Sequence, residues 1–439
     1  MGFWRRQRIM ETAAAKPWIG KLNILNSKIL MPAMALSFIL FNTVINLWIG
    51  ERIETLQNLL AICVLAIWAC NILSEPKRLL KPWIKSNVIV IIYFIARLIS
   101  LWQSGFDYSV IRTVFFEIFF LVGICKTTLQ DEKSIYIKIF IWLELIISGL
   151  SLLLFYMYDH LGIRLQTLLY EYSYLKDSGN AMLFSNTNTA GIMAGFSIVL
   201  AVVLYGKRNY NKNLVIAFGI YNIIALILFG CRSADVAAIA IVILVIAEKK
   251  LLRIRKEILI AGILVMCIAT LLPVYLVVNH SQNIGTLYYT DLEHKIDKIS
   301  SGRYLIWKEC IINQNNSLIF GEGNLKLEQE ERLQYINDHE DIYWGYVKAA
   351  QLGPHNGYIG MISATGWAGF GLFIAILLQR IKRAKHLEKG RWYLMLIFIF
   401  VINCFESLFI LNRFFTCFYM FLVLETDMED GEKRLTEAK

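Results

Sequence analysis

The chain has 439 residues, of which 57% are apolar and 18% charged, and its formal net charge is +10. A soluble enzyme of this length carries more charge and fewer long apolar runs. The basic residues sit in short segments between apolar runs, which is orientation signal rather than a nucleic-acid-binding stripe, so no nucleic-acid partner is expected. Apolar stretches of roughly 18 residues or more, enough to span a bilayer, recur throughout, while the short alternating strands of a membrane barrel do not.

The expected fold is all-α: a polytopic integral membrane protein with about twelve transmembrane helices and a large helical extracytoplasmic loop. A basic segment, 1–28, opens with "MGFWRRQR" and lacks the layout of a cleaved secretory signal. Spans follow at about 29–48, 56–73, 87–103, 108–125, 135–157, 187–205, 214–230, 234–247 and 258–278. After a hydrophilic segment at 279–355 come spans at about 356–379, 392–408 and 410–424, then a tail at 425–439. With the N-terminus cytoplasmic, the inner connections are "SEPKRLLKPWIKS", "KTTLQDEK", "GKRNYNK", "EKKLLRIRKE" and "QRIKRAKHLEKGR", all rich in Lys and Arg. The positive-inside rule is thus met along the chain and puts both termini in the cytoplasm. The eight cysteines have no CxxC or paired spacing and read as small core residues.

Polar residues that oppose this pattern are the functional candidates. "FSNTNTAGIMAG" places Asn186 and Asn188 at the outer start of a span, where an Asn caps the helix or, at a cavity rim, binds sugar hydroxyls. "FGCRSADVAA" places Arg232 at an outer edge, open either to a pair with Asp235 or to a substrate anion. "SGRYLIWKEC" puts Arg303 at a helix start in the large outer segment, and "FGEGN" after it reads as a tight turn. Arginine's planar, permanently charged fork matches phosphate oxygens. His355 and Asn356 open the stretch "PHNGYIGMISATGWAGFG"; a neutral His at the mouth of an outward cavity suits a general base. Gly357, Gly360, Ala364, Ala368 and Gly371 read as a small-residue stripe for close helix packing. Glu406, near the outer end of its span, could line the same cavity as His355, while Arg97, Arg112, Glu117, Lys138 and Glu144 are further ionisable groups within spans. There is no nucleotide-binding P-loop and no Cys/His metal spacing; the acidic "NDHED" reads as a solvated loop. Neither a cofactor nor a metal is expected.

His355-Asn356, nine residues, Gly366, two residues and Gly369 resemble the signature of the O-antigen ligase and O-antigen polymerase superfamily. "SGRYLIW", "CRSA" and "SNTNTAG" resemble its other landmarks, in the same order, although many relatives have a proline where Thr187 stands. The resemblance covers about 180–371 and implies a metal-independent, inverting glycosyltransferase of the membrane-embedded C type. The donor it implies is a glycan on undecaprenyl diphosphate, with Arg232 and Arg303 holding the diphosphate and His355 deprotonating the acceptor. Asn186, Asn188, Asn356 and Glu406 are the further substrate-binding candidates.

Polymerase and ligase share these landmarks. A composition rich in Lys, Ile and Asn fits an AT-rich genome, as in many Gram-positive bacteria, whose envelopes have no lipid A core to receive a ligated chain. A polymerase of capsular or exopolysaccharide repeat units in the plasma membrane is therefore the favoured expectation, working beside a flippase and a chain-length regulator. The alternatives are a ligase and, from another class, a transporter or flippase of lipid-linked sugars. The latter would use the intramembrane charges, but the chain shows no repeated halves.

Overall fold

The computed structural model describes residues 17–124, 133–161, 183–251, 256–276, 293–323, 354–384, 391–408 and 415–425, with some positions inside these ranges left out. The acidic stretch 337–341, Cys125 and most of the outer segment 158–186 lie outside the described residues.

Among the described residues the regular structure is helical, apart from an isolated bridge between Thr43 and Phe184. In chain order the helices are α1 (Pro17–Leu25), α2 (Met31–Phe41), α3 (Ile45–Ser74), α4 (Pro76–Ser86) and α5 (Val88–Gln103). There follow α6 (Tyr108–Ile118), α7 (Lys133–Leu161), α8 (Thr187–Leu204), α9 (Lys212–Phe229) and α10 (Arg232–Leu251). The last are α11 (Lys256–Ala269), α12 (Arg303–Gln314), α13 (Gly357–Arg383), α14 (Tyr393–Ile402) and α15 (Phe415–Glu425). Single π-helical turns link α1 to α2 and extend α6.

This is a polytopic helical membrane protein. Every expected span holds a helix, and seven helical stretches of the described residues are long and apolar enough to cross a bilayer. Helices α5, α14 and α15 are apolar but shorter, so length alone does not fix the number of crossings. One connection between expected spans is itself a helix: α4 has Lys81 and Lys85 on one side and Leu80 and Trp83 on the other, at the spacing of an interfacial helix. Trp83 is buried against Trp68, ring centroids 5.3 Å apart.

Helix α8 is the central element, packed against α7, α9, α10 and α14 and buried almost throughout. Phe196 on it meets Phe140, Phe398 and Phe415 at 5.2–6.1 Å, contacts each worth roughly 0.5–1.5 kcal/mol beyond area burial. Gly191 lets the start of α10 come close: a Cβ there would lie 2.1 Å from Cys231 Cβ.

The expected small-residue stripe does not run through α13, because the helix breaks at Gly366 (φ 65°, ψ −179°). That conformation favours glycine, and the register of Gly357, Gly360 and Ala364 is not carried on to Ala368 and Gly371. A Cβ on Gly371 would meet nothing within 4 Å. The backbone groups freed by the break are satisfied by Leu318, Ile319 and Gly323, in and just before "FGEGN". Trp367 and Ala368 N–H donate to the carbonyls of Leu318 and Ile319, both at 3.0 Å, and Gly323 N–H donates to the Ala364 carbonyl at 3.1 Å. Irregular backbone inside a membrane protein is tolerated only when protein covers it in this way.

Candidate functional site

Four chain segments converge at one end of the bundle, and Glu406 joins them. It lies in the turn just beyond α14, where Asn403 ends the helix. Its Oε1 accepts from Asn188 Nδ2 at 2.8 Å and from Arg303 Nη2 at 2.9 Å. Its Oε2 lies 3.3 Å from His355 Nδ1. Of the expected site residues, the structure therefore brings Asn188, Arg303, His355 and Glu406 into one contact group.

Local sequence explains each placement. Asn186 has extended backbone and caps α8, its Oδ1 accepting from Thr189 N at 2.8 Å. Asn188, two residues on, is left on the helix's first turn and turns its amide to Glu406. Arg303 opens α12 and also donates through Nη1 to the Phe405 carbonyl. One turn along α12, Trp307 Nε1 donates to the Pro354 carbonyl at 2.8 Å, so the helix carrying Arg303 is tied to the residue before His355. That contact was not anticipated from sequence, although Trp307 stands four residues from Arg303 and hence on its face.

His355 has φ 46°, a sparsely populated conformation for a residue other than glycine, and such outliers gather at functional sites. It is held on one side by the Trp307 contact to Pro354. On the other side Asn356 caps α13, accepting from Tyr358 and Ile359 N–H and donating to the Cys404 carbonyl. The Asn356 side chain thus serves the fold through the cap and the Cys404 carbonyl. The Asn186 side-chain oxygen is likewise occupied by its cap.

Arg232 is the exposed first residue of α10, and among the described residues it forms no ion pair, Asp235 included. It borders the group through its neighbour Cys231, whose Sγ lies 3.7 Å from the Asn188 carbonyl and 3.3 Å from Ser233 Oγ. Burial pushes the Cys231 thiol up, which keeps it protonated and unreactive.

The exposure of the group is graded. The side chains of Glu406, Arg303 and His355 are 11%, 21% and 25% exposed, so the carboxylate is the floor and the two nitrogen groups face outward. Arg303 uses two of its five N–H donors on described partners, and an anion could take the rest. An apolar recess lined by Phe196, Trp392 and Tyr419 lies at the far end of α14 and contains no such groups.

The other intramembrane charges pair across helices. Arg97 Nε donates to Glu117 at 2.8 Å and Arg112 to Glu54 at 2.9 Å, whereas Glu144 lies 3.4 Å from the Asn222 amide. None of the three is linked to Glu406 by a described contact.

No curated protein matched the chain. Residues 217–374 match a family described as O-Antigen ligase. The matched stretch contains Arg232, Arg303 and His355; Asn188 and Glu406, which complete the contact group, lie on either side of it. The match supports the likeness of this stretch, about a third of the chain, to the O-antigen polymerase and ligase superfamily.

Proposed function

We propose that the protein is a polysaccharide polymerase that joins oligosaccharide repeat units carried on undecaprenyl diphosphate. It acts at the outer face of the bacterial plasma membrane, with both termini cytoplasmic. The observation that carries this reading is the single carboxylate of Glu406 holding an arginine, a histidine and an amide at one end of the bundle.

In this reading Glu406 accepts the His355 Nδ1 hydrogen, which leaves Nε2 with its lone pair free to take a proton. The acceptor hydroxyl, on the terminal sugar of a lipid-linked repeat unit, attacks the donor's anomeric carbon and loses its proton to His355. The bond from that carbon to the diphosphate breaks on the opposite face, and undecaprenyl diphosphate leaves with the electron pair. Arg303, with Arg232 at the rim, neutralises the charge that develops on the leaving group. Asn188 keeps the Glu406 carboxylate in place and is a second-choice contact for sugar hydroxyls. A flippase that delivers repeat units and a chain-length regulator are the expected partners.

The test uses purified protein in nanodiscs with lipid-linked repeat unit and EDTA, the products being separated on a gel. Wild type should give a ladder of lipid-linked glycans, and His355→Ala should slow it about 10²–10⁴-fold, the usual contribution of a general base. Transfer only to an added second lipid acceptor would make the protein a ligase. No glycan product under either condition, with sugar flux into vesicles, would make it a transporter.

A further inference from the structure

The buried pair Arg97–Glu117 is poorly explained as a source of stability. Arg97 is 0% exposed and Glu117 4%; beside the neighbouring Tyr93, their Nη2 and Oε1 atoms have no hydrogen-bond partner at normal distance among the described residues. An ion pair buried with unmet polar atoms is often no more stable than a well-packed apolar substitute. What the pair does is visible at the other end of the guanidinium. Arg97 Nη1 donates at 2.7 Å to the Ala364 carbonyl, which lost its own helical partner when α13 broke at Gly366. Gly323 N–H meets the same oxygen, and Ser100 on α5 donates to the Phe320 carbonyl. The turn of residues 318–323 is thereby stitched between α5 and the break in α13.

That turn lies three residues beyond the end of α12 in sequence, and α12 begins with Arg303. The arm bearing Arg303 is therefore fixed at one end by Glu406 and the Trp307 contact, and at the other by the stitch under Arg97. The helix it is stitched to starts beside His355. We propose that Arg97, oriented by Glu117, is a positioning residue. By holding the outer turn in the helix break, it sets Arg303 against His355 at the spacing the transfer requires. The role rests on the glycosyl-transfer reading above. Misplacement of a reacting group by about 1 Å costs on the order of 100-fold in rate, so a clamp remote from the chemistry has measurable leverage.

Arg97→Met alone would strand Glu117, so the test uses Arg97→Met/Glu117→Leu, which replaces the pair with apolar groups. Intact folding is checked by thermal unfolding and gel filtration in the same nanodiscs. Hydrogen exchange should accelerate about tenfold at residues 318–323 and 364–368 and stay unchanged in α14. The kcat/KM for lipid-linked repeat unit should fall about 10- to 100-fold. Added to Arg303→Ala, the same double change should cost less than about twofold more, because both act through one residue, whereas independent effects would multiply.

Unchanged exchange at the stitch, turnover within about twofold of wild type, or a fully multiplicative loss would each overturn the proposal. If Arg303→Ala alone left turnover intact, the functional reading would fall and take the positioning role with it. Inactive Arg303→Ala beside a fully active double variant would overturn the positioning role alone.

Discussion

Arg97 meets Glu117 at 2.8 Å and Arg303 meets Glu406 at 2.9 Å; the surroundings of the two pairs could hardly differ more. The first is sealed among α5, α6 and α13, where its guanidinium is aimed at one backbone carbonyl. The second sits at the end of the bundle, one-fifth exposed on the arginine side, with a histidine and an amide on the same carboxylate. A sealed pair cannot exchange its partner without opening the fold, because neither charge has solvent to move into. An open pair can surrender the carboxylate to a diphosphate, which offers arginine the same planar match with more charge. One kind of side-chain pairing is thus used once as a fastener and once as a socket, and burial separates the two.

The comparison can be broken most forcefully at the fastener. Arg97→Met leaves Glu117 buried and unpaired and should destabilise the protein by about 3–5 kcal/mol, while Arg97→Met/Glu117→Leu should lie close to wild type. Thermal unfolding of the two in nanodiscs decides it; equal losses would mean that the helix interface, not the stranded charge, sets the cost. At the socket, Arg303→Ala should raise the KM for lipid-linked donor about 10- to 100-fold with little change in melting temperature, and Arg303→Lys should recover only part of it, since a point charge lacks the bidentate fork. Full recovery by lysine would reduce Arg303 to a generic positive charge. The smallest effect is expected at Arg112–Glu54, whose side chains are 38% and 33% exposed. Arg112→Gln should cost less than about 1 kcal/mol, with no change in donor kinetics.

Much of this arrangement could be read in the sequence because it depends on local properties. Span length and hydropathy located the helices, and the rule that charges within spans are functional candidates picked out Glu406, Arg97 and Glu117. What could not be read depends on partners distant in sequence. "SATGWAG" has helical spacing of small residues, and only the turn at 318–323 turns Gly366 into a break. Asn186 and Asn188 are alike in composition and two residues apart; which of them caps α8 is fixed by where the backbone leaves the extended region. The spacing of Arg232 and Asp235 left a pair open, yet the arginine is the exposed first residue of its helix and forms none among the described residues. The segment holding Pro76–Ser86 read as a connection because its charge dominated, although its period is that of an interfacial helix.

The position of Glu406 in the chain has a consequence for assembly. It contacts groups 218, 103 and 51 residues upstream. At a synthesis rate of about 5–20 residues per second, Asn188 waits on the order of 10–40 s after its own translation before its carboxylate partner exists. Arg303 and His355, made later, lack their shared counterion for about 5–20 s and about 3–10 s. The site is then completed in one step, when the turn after α14 arrives, rather than built up residue by residue as the earlier helices enter the membrane.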